Sequence, residues 1–331
     1  MTTVLVTGGA GFIGSHYVKA LLRADDITSV TVLDALTYAG HVENLGEAFL
    51  DERMTFVRGS ILDAALVDRL MAGHTWVVHF AAESHVDRSL TGGALFVETN
   101  VLGTQVLVDA ASRHQVERFV HVSTDEVYGP LLKGAADEDA PLLPTVPYAA
   151  SKAASDLVAL SAHRTYGLNV CVTRSSNNFG PAQYPEKIIP RFVTRLLRGE
   201  PVTLHGRGEH VRNWLHVEDN CRGIGAVMRH GQPGEIYNIA GGTDLTTRQL
   251  TELLLTVCGA SEDLVTFVPD RQANDLRYAM DWSKISRLGY RPERDLMEEL
   301  AATVDWYRDH TDRWAPLSGP ATAPVLAEVA R

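Results

Sequence analysis

Only three cysteines occur among 331 residues, and Cys171, Cys221 and Cys258 lie far apart. An odd, scattered set excludes a disulfide framework, and no spacing of metal ligands accompanies it. The expected setting is a reducing one, the cytoplasm, with no metal site. No apolar run approaches the roughly 18–20 residues that a membrane-spanning helix needs. The chain opens on a strand-like run rather than a charged leader, which again points to the cytoplasm. A basic surplus is missing too: 30 Lys and Arg stand against 41 Asp and Glu, a net charge of −11. Nucleic-acid binders need a basic face to displace counterions, so that class is excluded. A phosphate-bearing small molecule is not, because local arginines and backbone N–H groups suffice for it. There is no internal repeat. What remains is a globular balance, 45% hydrophobic and 21% charged, over a length that fills one large domain or two average ones.

The first motif follows at once. Residues 3–7 form a short apolar run, as expected of a strand buried on both faces. Gly8-Gly9-Ala10-Gly11-Phe12-Ile13-Gly14 comes next, and then a helical pattern with Ile13, Val18, Leu21 and Leu22 on one side. Gly9, Gly11 and Gly14 fit G-x-G-x-x-G; Gly8, Gly11 and Gly14 fit G-x-x-G-x-x-G. In both, the missing Cβ lets the backbone approach a pyrophosphate, and the helix start offers free N–H groups. The strand 29–33 ends in Asp34, about twenty residues after the last glycine, where a carboxylate accepts from the ribose hydroxyls of NAD. A 2′-phosphate would be repelled there, and no arginine directly follows, so NAD is favoured over NADP.

Strand-like runs at 55–57, 76–81, 118–122 and 169–173 alternate with helical stripes. The longest helices are expected over 98–114 and 148–166. This rhythm predicts an α/β fold with a doubly wound parallel sheet, helices on both faces and right-handed crossovers. Gly8–Gly14, Asp34, Ala81–Ser84 and Ser123–Glu126 all follow strand ends, which gathers them along one edge of the sheet. Residues 129–147, rich in Pro and acid, read as a surface loop. The expected division is a dinucleotide-binding part over 1–175, to which a later stretch near 205–230 returns. A smaller α/β substrate-binding part over 176–312 and a flexible tail over 313–331 complete it.

Tyr148 and Lys152 are spaced by four, so a helix projects both from one face. A phenol of ordinary pKa, about 10, is a weak base at neutral pH. A nearby ammonium, with the positive charge of an oxidised nicotinamide, favours phenolate. Tyr148 is then suited to take a hydroxyl proton while hydride leaves the same carbon. Such a pair alone occurs by chance on many helices; behind a glycine loop and an alternating fold it points to redox chemistry. Asp125 and Glu126, preceded by Ser123 and Thr124, close a buried run. Alone they read as a solvated acid pair. Opposite Tyr148 and Lys152 they supply the acid and the base that an elimination needs, because adjacent carboxyls can be held in different protonation states.

Several segments carry a family resemblance: Val6–His16, Leu36-Thr37-Tyr38-Ala39-Gly40, His79–Ser89, Ser123–Gly129, Pro147–Lys152, Ser176–Pro181 and Pro185-Glu186-Lys187. Over roughly residues 3 to 310 the chain resembles the extended short-chain dehydrogenase/reductases, and within them the dTDP-glucose 4,6-dehydratases. The resemblance implies a Rossmann-type sheet, NAD as cofactor, a nucleotide-diphosphate hexose as substrate, and a homodimer joined through helices 98–114 and 148–166. It implies that Tyr148 deprotonates the 4-hydroxyl as hydride passes from C4 to NAD. Glu126 then removes the C5 proton, Asp125 protonates the departing C6 hydroxyl, and hydride returns to C6. Thr124 holds the 4-oxygen, and the product is a 4-keto-6-deoxy sugar nucleotide.

Candidate NAD contacts are Gly8, Gly11, Phe12, Ile13, Gly14, Asp34, Ser60, Ile61, Ala81, Ala82 and Thr99, with Tyr148 and Lys152. Candidate substrate contacts are Ser84, Thr124, Asn178, Lys187, Arg212, Asn238, Arg271 and Asn274. The family pattern is broken in three places. Ser60 replaces an Asp near the adenine, Ala182 an aromatic, and Ala273-Asn274 a Gly-His pair beside the nucleotide. The third departure leaves the nucleotide open. A sugar-nucleotide 4-epimerase or decarboxylase shares the scaffold, and a dinucleotide-sensing binding protein is the non-catalytic alternative. The adjacent Asp and Glu separate dehydration from these.

Overall fold

The computed structural model describes residues 2–270 and 275–317. Its strands are β1 (Thr2–Thr7), β2 (Ile27–Asp34), β3 (Met54–Arg58), β4 (Trp76–His79), β5 (Arg118–Thr124), β6 (Val170–Ser175), β7 (Asn177–Phe179), β8 (Val202–His205), β9 (Val211–His216), β10 (Ile236–Ile239), β11 (Thr243–Thr246) and β12 (Val265–Val268). Seven form one sheet in the order β10-β6-β5-β4-β1-β2-β3, with every pairing parallel. The doubly wound α/β fold expected from the sequence is present, and the strand order reverses between β1 and β4.

Side-chain alternation explains why the sheet is covered twice. Val4, Val6, Val30, Val32 and Val120 point to one face, against Val18 and Leu21 of α1 (Phe12–Leu22). Leu5, Leu33, Val77 and Phe119 point to the other, against Val67 and Met71 of α2 (Ala64–Met71), Leu107 of α4 (Gly103–Arg113) and Leu160 of α5 (Pro147–Tyr166), while α3 (Val86–Phe96) packs on α5. Successive strand residues face opposite ways, so a run with apolar residues at every position feeds both cores.

The smaller lobe has its own core. Phe179, Trp214, Leu250 and Leu300 pack there with Ile189 and Phe192 of α6 (Ile188–Leu196). Its three-stranded sheet runs β11-β9-β7. The chain returns to the large sheet through α7 (Val217–His230), whose Ile224 and Val227 join the α1-side core, and through β10, which pairs with β6. β8 and β9 pair outside the large sheet, and Leu215 near the end of β9 is the first residue of this stretch in the α1-side core.

Three local expectations need correction. β4 stops at His79, not 81: Phe80 N–H still bonds to Thr7 O, and the chain then leaves the sheet. The helix expected over 98–114 is the end of a longer irregular one. It kinks at Gly92 within α3 and passes through a π-helical turn, Val97–Leu102, before α4. The segment 129–147 is a surface loop as expected, and it is braced: Leu131 N–H bonds to Arg277 O, and Ala136 is buried and bridged to Met280. The chain also stays packed beyond residue 312, since Trp314 is buried and its indole donates to Tyr307 O at 2.5 Å.

Candidate active site

A cavity of about 700 Å³ opens along the carboxyl edge of the sheet. It lies where the reversal of strand order predicts a ligand crevice. One end is built by the glycine turn between β1 and α1. Gly8 holds φ at +72°, and a Cβ there would sit 2.5 Å from Ala81 N; a Cβ on Gly14 would sit 2.2 Å from Gly8 O. Only glycine permits that approach. Gly11 caps α1 without any side-chain hydrogen bond, so the first N–H groups of the helix stay available to an anion. Phe12 and Ile13 line the same wall.

Asp34 ends β2 at the cavity. Its Oδ2 accepts from Ala10 N at 2.9 Å and its Oδ1 from Leu36 N at 2.8 Å, while burial pushes its pKa up. Each carboxylate oxygen keeps a lone pair for a hydroxyl. Ser60, Ile61, Ala81, Ala82 and Thr99 also line the cavity. Ser60 Oγ accepts from Leu62 N at 3.1 Å and braces its own turn. Thr99 sits on the π-helical turn, a feature that recurs at functional sites. A glycine cradle, an uncapped helix start and a buried carboxylate at the neighbouring strand end fit an adenine dinucleotide.

At the centre, β5 delivers Ser123, Thr124, Asp125 and Glu126 to the cavity opposite Tyr148 and Lys152 of α5. Thr124 Oγ1 donates to Asp125 Oδ1 at 3.1 Å, and Glu126 N–H donates to Thr124 Oγ1 at 3.3 Å. Burial, then the negative charge of Glu126, pushes Asp125 up to about 7. Burial raises Glu126 as well, but Lys187 and Arg212 oppose it. Burial thus raises both carboxyls; Arg212 opposes the rise at both, and Lys187 at Glu126.

Burial and Glu126 push the Tyr148 phenol above the ordinary range, and the Thr124 hydroxyl is the hydrogen-bond partner that opposes them. Lys152 Nζ donates to Val122 O at 2.7 Å, and burial holds its pKa down to about 8. The protein by itself therefore keeps the phenol protonated.

Ser84, Asn178 and Lys187 line the far part of the cavity. Asn178 Nδ2 donates to Ser176 O at 2.8 Å, while its Oδ1 is buried without a partner. Lys187 Nζ donates to Ser84 O at 2.6 Å. Arg212 lies behind this wall. Its guanidinium stands 4.3 Å over the Tyr278 ring and lowers both Asp125 and Glu126 electrostatically. Asn238 is not brought to the cavity. It is fully buried, accepts from Tyr128 OH at 2.7 Å, and donates to Ala136 O and Asp281 O, both at 3.0 Å. Arg271 and Asn274 lie outside the described residues.

Sequence reasoning missed two sets of residues. Glu186 accepts from Tyr38 OH and Arg88 Nε, each at 3.2 Å, and ties three loops around the cavity. Asn100 accepts from Glu83 N at 2.8 Å and donates to Ser151 Oγ at 2.9 Å, which fixes the chain after β4. No local pattern marks either set, because their partners are 17 to 148 positions away. Tyr184, two positions beyond Ala182, lines the cavity and packs edge-on to Tyr38 at 5.5 Å.

Known proteins share this arrangement. A dTDP-glucose 4,6-dehydratase of Streptomyces antibioticus is 57% identical over 331 residues, covering 97% of this chain and 98% of that protein. The crystal structure of DesIV, a dTDP-glucose 4,6-dehydratase from Streptomyces venezuelae with NAD bound, superposes with a TM-score of 0.94 at 53% identity. That match covers 96% of this chain and all of that one. A UDP-glucose 4-epimerase from Thermotoga maritima has a TM-score of 0.87 at 33% identity, covering 94% of this chain and 100% of that one. The family model described as GDP-mannose 4,6 dehydratase matches residues 5–303, and the chain belongs to that family, within the extended short-chain dehydrogenase/reductases.

Proposed function

We propose that the protein is an NAD-dependent dehydratase that converts dTDP-glucose into dTDP-4-keto-6-deoxyglucose. The carrying observation is the adjacent Asp125 and Glu126, both raised by burial and lining the same cavity as Tyr148. A 4-epimerase needs hydride transfer at one carbon and has no use for an acid and a base side by side. The relatives at 53–57% identity support the dTDP-glucose assignment.

Bound NAD supplies the hydride acceptor at C4, the hydride donor at C6 and a positive ring that, with Lys152, favours phenolate at Tyr148. The chain's residues move the protons. Tyr148 takes the 4-hydroxyl proton, with Thr124 donating to the 4-oxygen. The C4 ketone acidifies C5; Glu126 takes the C5 proton as Asp125 gives one to the C6 hydroxyl, which leaves as water. Glu126 then returns its proton to C5. Gly8, Gly11, Gly14, Phe12, Ile13, Asp34, Ser60, Ile61, Ala81, Ala82 and Thr99 hold the cofactor. Ser84, Asn178 and Lys187 hold the sugar and diphosphate, and Arg212 adds positive charge from behind. The large lobe carries the cofactor and the reacting groups; the small lobe carries recognition.

Two copies are expected to pair through α3–α4 and α5, where Leu90, Val97, Leu102 and Leu157 are exposed. Large exposed apolar groups on adjoining helices mark such a surface. Among the described residues no helix is long and apolar enough to cross a membrane. Three unpaired thiols fit the cytoplasm. The test is mass spectrometry of dTDP-glucose incubated with NAD-loaded protein. Loss of water supports the proposal; intact substrate, or loss of carbon dioxide from a uronic acid analogue, overturns it.

A further inference from the structure

Lys152 is backed by buried charges that the chemistry above does not use. Asp156 lies one helical turn beyond it on α5, on the same face. Its side chain is fully buried. Arg174 of β6 donates from Nε to Asp156 Oδ2 at 3.0 Å, and His121 Nε2 of β5 lies 3.4 Å from Oδ1. Ser123 Oγ, just before the catalytic run, and Asp156 Oδ1 are both buried without a well-aligned hydrogen bond. The Ser123 hydroxyl nevertheless helps to lower the Asp156 carboxyl.

The charges in this cluster can be counted. Arg174 and Lys152 are cations, and Asp156 is the anion between them. His121 is neutral, since burial holds it down to about 4, and burial holds His79, whose ring is 5.2 Å from that of His121, well below its usual value. Tyr148 on α5 stays a neutral phenol, and Asp125 and Glu126 lie at the cavity end of β5. Burial lowers Lys152, and Asp156 is the group that raises it. An arginine does not give up its proton inside a protein. Without the carboxylate, nothing would offset the burial that lowers Lys152.

We propose that Asp156 is a positioning residue of the redox step: anchored by Arg174, it keeps Lys152 an ammonium beside Tyr148. This rests on the roles of Tyr148 and Lys152 given above, but it can be read on the amine itself. The chain has five lysines, Lys19, Lys133, Lys152, Lys187 and Lys284. In NAD-loaded protein carrying 13Cε-lysine, five NMR signals can be followed with pH, with Lys152→Arg assigning the one of interest. The Lys152 signal is expected to titrate near about 8. Asp156→Asn should lower that midpoint by about one unit or more, and Asp156→Glu should restore it. NADH formation in Asp156→Asn should fall about tenfold at neutral pH with KM little changed, and its alkaline limb should move to lower pH. An unchanged Lys152 midpoint in Asp156→Asn overturns the proposal. If that variant does not fold, an unchanged midpoint in Asp156→Ser does so. Absence of NADH from dTDP-glucose in the wild type would instead count against the substrate reading and leave the titration standing.

Discussion

The two walls of the cavity are built on different principles. On the large-lobe wall, four groups follow parallel strands: the glycine turn after β1, Asp34 at the end of β2, Ala81 and Ala82 after β4, Asp125 and Glu126 after β5; Tyr148 and Lys152 come from α5, packed on that sheet. On the small-lobe wall, Asn178 comes from three-residue β7, Lys187 from the start of α6, and Arg212 from β9 in a mixed sheet. The first wall is fixed by buried strands covered on both faces. The second is fixed by individual bonds, such as Lys187 to Ser84 O and Glu186 to Tyr38 and Arg88. Proton transfer needs the rigid wall. Recognition tolerates the looser one, so damage to the first should appear in rate and damage to the second in affinity.

Tyr148→Phe tests the rigid wall most severely. It removes the base for C4, and every later step needs the ketone, so NADH formation and loss of water should both fall by about 10⁴-fold. Single-turnover absorbance of NADH and mass spectrometry read the two events separately. Glu126→Gln divides them. Water loss should slow by about 10³-fold, within the range of a proton-transfer group, while NADH formation changes by less than about tenfold. Equal losses in both events would mean that Glu126 shapes the site rather than moving the C5 proton.

Asn178→Ala probes the other wall. Loss of its amide's hydrogen bond to the charged diphosphate costs about 1.5–3 kcal/mol, so KM for dTDP-glucose should rise by about 10–100-fold with kcat within a few-fold. A collapse of kcat at unchanged KM would erase the division between the walls. A smaller effect comes from pH. Asp125 must be protonated to release water, and its pKa is raised to about 7. Dehydration should be fastest below that value and decline about tenfold per unit above it, while Asp125→Asn removes the alkaline decline along with most of the rate.

The same contrast explains what the sequence could reveal. Val4-Leu5-Val6 and Val120-His121-Val122 declare a doubly covered sheet because burial on both faces leaves an unbroken apolar run. Once the strands are parallel, their ends converge, and Asp34, Asp125 and Glu126 follow from chain order alone. Tyr148 and Lys152 follow from helical spacing. Nothing comparable marks Glu186 or Asn100, whose partners are set by how loops meet. The raised pKa of Tyr148 is also out of reach, because burial and the charge of Glu126 cause it, and both come from the folded site rather than from helical spacing. The irregular π-helical turn that carries Thr99 depends on packing of α3 and α4 against α5, and leaves no periodic trace.

Asn238 offers the finest test, because its type suggested recognition and its position argues for structure. Its amide joins three separate segments: Tyr128 after β5, Ala136 in the braced loop, and Asp281 near the end of that loop's partner segment. None of these atoms faces the cavity lining. Asn238→Ala leaves a buried hydroxyl and two carbonyls short of partners, at a cost of about 1–3 kcal/mol, visible as a lower midpoint in urea. KM for dTDP-glucose should stay within about twofold, since uniform binding is untouched. A tenfold rise in KM at unchanged stability would move Asn238 to the recognition wall. An effect on stability alone would place the boundary between the two walls behind Tyr128, whose ring also carries the Arg174 guanidinium at 4.7 Å.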